Sequence, residues 1–147
     1  MSKSQKIILI ILAVVIIAIQ LVPVERTNPP VTADVQAPPD VKKILTRSCY
    51  DCHSNQTKWP WYSYVAPASW LVASDVKDGR RHLNFSEWGA LSLPDQRKVL
   101  AEIWEEVDDG EMPLEIYTLI HSEALISASD LNILYKWTHP PADTLWP

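Results

Sequence analysis

The sequence predicts an all-α protein, a small helical domain carried behind a single N-terminal membrane-spanning helix. Three observations predict it. Residues 7–22 are apolar throughout except for Gln20. Later stretches repeat apolar residues at i, i+3 and i+4, the pattern of helices that bury one face. No run alternates apolar and polar residues as a half-buried strand does, and three glycines in 147 residues are too few for a turn-dense β protein.

The first element is the apolar block. Extended to Val24, it makes a helix about 27 Å long, close to the ~30 Å hydrocarbon core of a bilayer. Lys3 and Lys6 precede it, which places the N-terminus in the cytoplasm and the rest outside. A cleaved signal peptide has a shorter apolar region and small residues at its cleavage site. This block ends Gln20-Leu21-Val22-Pro23-Val24-Glu25, so residues 1–24 read as an uncleaved anchor. Anchor or signal, the residues after Val24 are exported. Pro29, Pro30, Pro38 and Pro39 punctuate residues 25–39, the composition of an extended, semi-rigid spacer that holds a domain off the membrane. The domain itself spans 40–147. Val41, Ile44 and Leu45 share a helical face that leads into Cys49, and Cys49, Cys52 and His53 continue that spacing. Residues 62–76 read as a second helical region, bent at Pro67. Leu100, Ile103, Trp104 and Val107 mark an amphipathic helix, capped by Ser92 and stopped at Gly110. Leu131, Leu134 and Tyr135 mark a last helix, opened by Ser127 and ended before Pro140.

The formal net charge is −5, without the clustered basic surface of a nucleic-acid-binding protein. The two cysteines stand three residues apart, which is no disulfide framework but a local chemical motif.

That motif is Cys49-Tyr50-Asp51-Cys52-His53. C-x-x-C-H is the c-type haem attachment pattern. Two thiols at this spacing can each add to one of the two vinyl groups of a haem, and the adjacent histidine is then held under the iron as its proximal ligand. The rival readings ask for more than the sequence offers. A thioredoxin-like pair needs a βαβ context, and a structural zinc site needs four ligands, whereas His82, His121 and His139 are scattered. The sixth iron ligand has one leading candidate. Met112 is the only methionine besides the initiator and sits in Gly110-Glu111-Met112-Pro113, past a helix end, where packing does not call for it. A thioether opposite histidine raises the reduction potential. His121 and His82 are the alternatives, and an open sixth position is a third. The order of helix, C-x-x-C-H, helices, methionine turn and terminal helix is the layout of a small single-haem cytochrome c.

Cys49-Tyr50-Asp51-Cys52-His53-Ser54-Asn55, Trp59-Pro60-Trp61-Tyr62, Pro67-Ala68-Ser69-Trp70-Leu71 and His82-Leu83-Asn84-Phe85-Ser86-Glu87-Trp88 together resemble the bacterial haem-binding domain family. The resemblance runs from about Val41 to Trp137. It implies one covalent haem on Cys49 and Cys52, and iron ligation by His53 and Met112. Where a second proline is expected after the methionine turn, this chain has Met112-Pro113-Leu114.

Other residues read in two ways. Trp59, Trp61 and Trp70 are candidates to wall the haem, or ordinary core. Arg81, in the basic run Lys77–His82, is a candidate partner for a haem propionate, or a solvated helix end. The acidic run from Glu102 to Glu111 is a steering surface for a basic redox partner, or a solvated helix face. The expectation is therefore a membrane-anchored monohaem c-type cytochrome of the bacterial cytoplasmic membrane, its haem domain facing the periplasm or extracytoplasmic space. It passes single electrons to redox partner proteins, binds no nucleic acid and is not an enzyme. The rivals are a haem sensor or peroxidase-like protein with an open or displaceable sixth ligand, and a non-haem zinc or thiol protein.

Overall fold

The computed structural model describes residues 1–141; the C-terminal bound of the expected domain, residue 147, lies outside them. Among the described residues the chain is helical, with no strand. The elements are α1 (Lys3–Gln20), α2 (Pro39–Ser48), α3 (Tyr50–His53), α4 (Ala68–His82), α5 (Leu93–Asp108), α6 (Glu115–Thr118) and α7 (Ala128–Thr138). Short 3₁₀ turns at Trp61–Tyr64, Phe85–Ala90 and Ser122–Ala124 join them.

Helix α1 buries none of its residues, and its length and composition suffice to cross a membrane. The core lies among α2, α5 and α7. Val41, Ile44 and Leu45 of α2 meet Leu100, Ile103 and Val107 of α5 and Leu134 and Trp137 of α7. Fully burying each such side chain is worth about 1.5–3 kcal/mol. An aromatic column fills the space between: Tyr50 stacks on Phe85 at 5.3 Å, Phe85 on Trp88 at 6.3 Å, and Trp88 meets Trp137 at 6.2 Å.

The helix ends follow from their caps. The Ser92 hydroxyl accepts from the Asp95 amide, and Ser127 forms a capping box with Asp130. Gly110, at φ +76°, takes the left-handed turn that a side chain would resist. Two expectations need correcting. Pro67 does not bend one helix; it separates the 3₁₀ turn at Trp61–Tyr64 from α4, which then runs on to His82. The motif does not continue α2 either. Cys49, at φ −125° and ψ −35°, interrupts the helix, and α3 is a single new turn.

The third correction concerns residues 25–39. They are extended, yet they are a strap across the domain rather than a free spacer. The amides of Thr32 and Ala33 donate to the Ser86 carbonyl and that of Val35 to the Phe85 carbonyl, at 2.9–3.2 Å. Val35 is buried in the core. The Asp34 carboxylate pairs with Lys42 and accepts from the Tyr50 hydroxyl at 2.9 Å. Arg80 of α4 fastens the other end, donating to the carbonyls of Ser54 and Thr27 and to Asn28 and Thr57 at 2.7–3.0 Å. These bonds satisfy strap carbonyls and amides that a free linker would leave to water.

Candidate functional site

A cavity of about 580 Å³ opens between α3 and α4 on one side and α5 on the other, within the usual range for a cofactor site. Its walls are helix faces. Asp75, Asp78, Gly79 and His82 of α4 line it at i, i+3, i+4 and i+7. Val99, Glu102, Ile103, Glu106 and Val107 of α5 line it with the same period. The turn Met112–Leu114, Tyr117 and Ile126 close it. Cys49, Cys52 and His53 supply the remaining wall.

The motif is held there by backbone contact. A Cβ built on Gly79 would lie 2.7 Å from the Cys52 carbonyl oxygen and 3.1 Å from the Cys52 Cβ, so α4 can approach α3 this closely only because residue 79 is glycine. His53 Nδ1 lies 3.2 Å from the Leu83 carbonyl oxygen, just past the end of α4. That carbonyl only accepts, so Nδ1 carries the hydrogen and Nε2 keeps its lone pair. Burial pushes the His53 pKa down, against the carbonyls of Leu83 and Gly79, and favours the neutral ring.

Cys49 and Cys52 are both free thiols. Burial, followed by the proximity of Cys52, pushes Cys49 up to about 12 against the pull of Arg47. Burial, followed by Asp75 and Asp51, pushes Cys52 up to about 12. Both are therefore protonated at neutral pH. Met112 reaches the same cavity from the far end of α5, its amide donating to the Glu106 carbonyl at 2.9 Å.

Thus Cys49, Cys52, His53 and Met112 share one cavity. Trp59, Trp61, Trp70 and Arg81 do not line it. Trp59 donates to Asn28 of the strap at 3.3 Å. Trp61 is 79% exposed, and Trp70 is on the surface. Arg81 points to solvent and pairs with Asp78 at 3.1 Å. Trp59 and Trp61 follow the motif closely in sequence, but they lie in and before the 3₁₀ turn, and Trp70 and Arg81 lie on the outward side of α4. Of the alternative ligands, His82 lines the cavity. His121 sits outside it, bonded to the Tyr62 hydroxyl at 2.7 Å and stacked on Tyr117. Asn84 caps Ser86 and donates to Asn55.

The acidic face of α4 is a part of the cavity wall that sequence reasoning missed, and Tyr117 lines the cavity with it. The Tyr117 hydroxyl donates to Asp51 Oδ2 at 2.8 Å. Burial first, then the Asp51 charge, hold its pKa well above the ordinary value, so it is a neutral phenol. Burial and the neighbouring Asp78 push the Asp75 carboxyl up. The spacing of Asp75, Asp78 and His82 at i, i+3 and i+7 is the signal in the sequence that one face of α4 looks into the site.

A family model described as a haem-binding domain matches residues 14–140. The chain belongs to the haem-binding domain family. No curated protein and no solved structure matches it. The match takes in the strap as well as the helices, in agreement with the strap's place in the core. Haem is the cofactor of this haem-binding domain, and the residues present fit it. A neutral imidazole with a free Nε2 and a soft thioether are both haem-iron ligands, and apolar groups of Phe85, Ile103, Val107, Leu114 and Ile126 line the cavity between them.

Proposed function

We propose that this haem-binding domain is a membrane-anchored monohaem c-type cytochrome that transfers single electrons on the extracytoplasmic side. The observation that carries the reading is that both motif thiols, His53 and Met112 line a single cavity. Haem, when bound, supplies the one-electron ferric/ferrous couple. The chain's own residues do the rest. The thiols of Cys49 and Cys52 would hold the haem covalently, each by addition across one vinyl group, with Sγ on one vinyl carbon, the thiol hydrogen on the other and no leaving group. His53 would hold the iron through Nε2, while its Nδ1–H donates to the Leu83 carbonyl, which fixes the ring and raises its basicity. Met112 would be the second protein group to hold the iron, and a thioether in that role would favour the ferrous state. The apolar groups of the lining would lower the local dielectric and raise the potential, while the carboxylates of Asp75, Asp78, Glu102 and Glu106 on the same walls would act against it. Lys3 and Lys6 hold the N-terminus inside, so the domain faces out.

A second reading, a sensor with a displaceable sixth ligand, draws support from His82, which lines the same cavity as Met112. A peroxidase-like reading asks for a distal arginine. Arg80 is committed to four polar partners of the strap and the post-motif loop, and Arg81 is exposed. The zinc reading asks for converging ligands, and among the described residues no group of three or more His, Cys, Asp or Glu is placed to hold a metal ion.

The test is a pyridine haemochrome spectrum of protein from a maturation-competent host after acid-acetone extraction. Haem retained on the polypeptide with a c-type band supports the thioethers. A colourless polypeptide, from a host that matures a control cytochrome, refutes them.

A further inference from the structure

We infer that the domain docks on the bilayer it is anchored to, through an aromatic surface formed by Trp61, Tyr64, Val65, Trp70 and Leu71. The inference rests on the membrane-anchored reading of α1 and goes beyond it by assigning the anchor's neighbour a lipid-binding role.

The position of the membrane relative to the domain is set by one residue. Helix α1 ends at Gln20, the first polar residue after the apolar run that starts at Ile7, so Gln20 is placed toward the level where the hydrocarbon core gives way to headgroups. Gln20 is clamped to the domain in both directions. Its Nε2 donates to the Ala66 carbonyl at 3.2 Å, and its Oε1 accepts from the Ala66 amide at 2.9 Å. The segment around Ala66 is thereby held at headgroup level.

That segment is flanked by large exposed apolar groups. Trp61 is 79% exposed, Tyr64 61% and Val65 46%, with Trp70 and Leu71 exposed in the first turn of α4. In a water-soluble surface these are costly; at a bilayer interface Trp and Tyr are the favoured residues, the ring meeting the acyl boundary and the polar atom the headgroups. Arg26 completes the arrangement. Its guanidinium lies 4.5 Å over the Tyr64 ring and donates to the Ser63 carbonyl at 3.1 Å, where an arginine can reach phosphate while its stem covers apolar surface. The occupant is the phospholipid headgroup interface, because the patch is continuous with the end of the membrane helix. The strap, tied to the domain along its length, keeps the domain at that level instead of letting it drift away.

The experiment uses the full-length, haem-loaded protein in phosphatidylcholine nanodiscs that contain a phospholipid with a diazirine near the carbonyl. After photolysis, labelled peptides are mapped by mass spectrometry, with the α7 peptide as the background. The expected result is label on α1 and on the peptide spanning residues 61–71. The variant Trp61→Ser/Tyr64→Ser is expected to lose the 61–71 label to the α7 level while α1 keeps its own. Gln20→Leu, which leaves α1 apolar and the patch untouched, is expected to reduce the 61–71 label by releasing the clamp. Label on α1 with 61–71 at background overturns the docking inference alone and leaves that surface to a protein partner. Absence of label from α1 overturns the anchored reading, and the docking inference with it.

Discussion

Gly79→Ala is a perturbation whose sign depends on the packing of α3 against α4. On an open helix surface, replacing glycine by alanine stabilises a helix by about 1 kcal/mol, because glycine carries the larger entropy cost. Here the new Cβ would meet the Cys52 carbonyl oxygen at 2.7 Å and crowd the Cys52 carbonyl carbon and Cβ at 3.1 Å. Restoring ordinary contact at 3.4 Å requires α3 to retreat by about 0.7 Å, and the obstacle is backbone, which cannot rotate away. Overpacking of this kind costs about 1–3 kcal/mol. Set against the propensity gain, the expected outcome is a net loss of up to about 2 kcal/mol, a fall in Tm of up to about 8 °C for a domain of this size. The assay is thermal and guanidinium denaturation of the haem-loaded full-length protein in detergent, followed by far-ultraviolet circular dichroism. Ser74→Ala, on the exposed side of the same helix, is the control and should change stability by less than about 0.5 kcal/mol. A higher Tm for Gly79→Ala than for wild type would refute the close approach of α4 to the haem motif.

Met112→Ala should convert the ferrous protein to a form that binds carbon monoxide, whereas Met112→His should stay low-spin and lower the potential; a Met112→Ala protein that remains low-spin and refuses carbon monoxide removes Met112 as the ligand and points to His82. Tyr117→Phe deletes the donor to Asp51 and should cost about 1 kcal/mol, read as a lower urea midpoint with an unchanged slope; an unchanged midpoint contradicts the bond. Burial raises the Asp130 carboxyl, but the Ser127 hydroxyl and amide and then Arg47 outweigh it and hold the carboxyl below its ordinary 3.8. A carboxylate held low stabilises the fold above its ordinary value and stops doing so as pH falls through the folded-state one. Asp130→Asn should therefore cost about 1 kcal/mol at pH 7 and converge with wild type in acid; a gap that widens in acid reverses the assignment. Arg81→Ala should leave haem content and spectrum unchanged and shift stability by less than about 0.5 kcal/mol; loss of haem would show that Arg81 reaches the cofactor.

The parts of this protein legible in the sequence are those set by local chemistry. Ser92, Ser127 and Gly110 act through the backbone groups of their own helix ends, so their positions can be read without knowing what the helix packs against. Cys49, Cys52 and His53 are adjacent, and Met112 stands out as the one methionine after the first residue, although in the fold it also packs against the core. The hidden parts depend on distance in space. The strap is bound by main-chain amides to Phe85 and Ser86, and such bonds leave no side-chain pattern; proline content alone gives it the look of a spacer. Trp59, Trp61 and Trp70 lie close to the haem motif along the chain only, while the aromatic groups at the centre of the fold are Phe85, Trp88 and Trp137. Tyr117 joins the site only because α6 folds back over Asp51.

The strap also decides where this chain can be cut. A soluble version beginning at Asp40 would look complete by its helices, yet it would lack Val35, whose burial is worth about 1.5–3 kcal/mol. It would also lose Asp34, which partners both Lys42 and Tyr50, and the Thr27 and Asn28 acceptors of Arg80. A version beginning at Glu25 keeps all of them and discards the membrane helix, the few residues after it and the Gln20 clamp on Ala66.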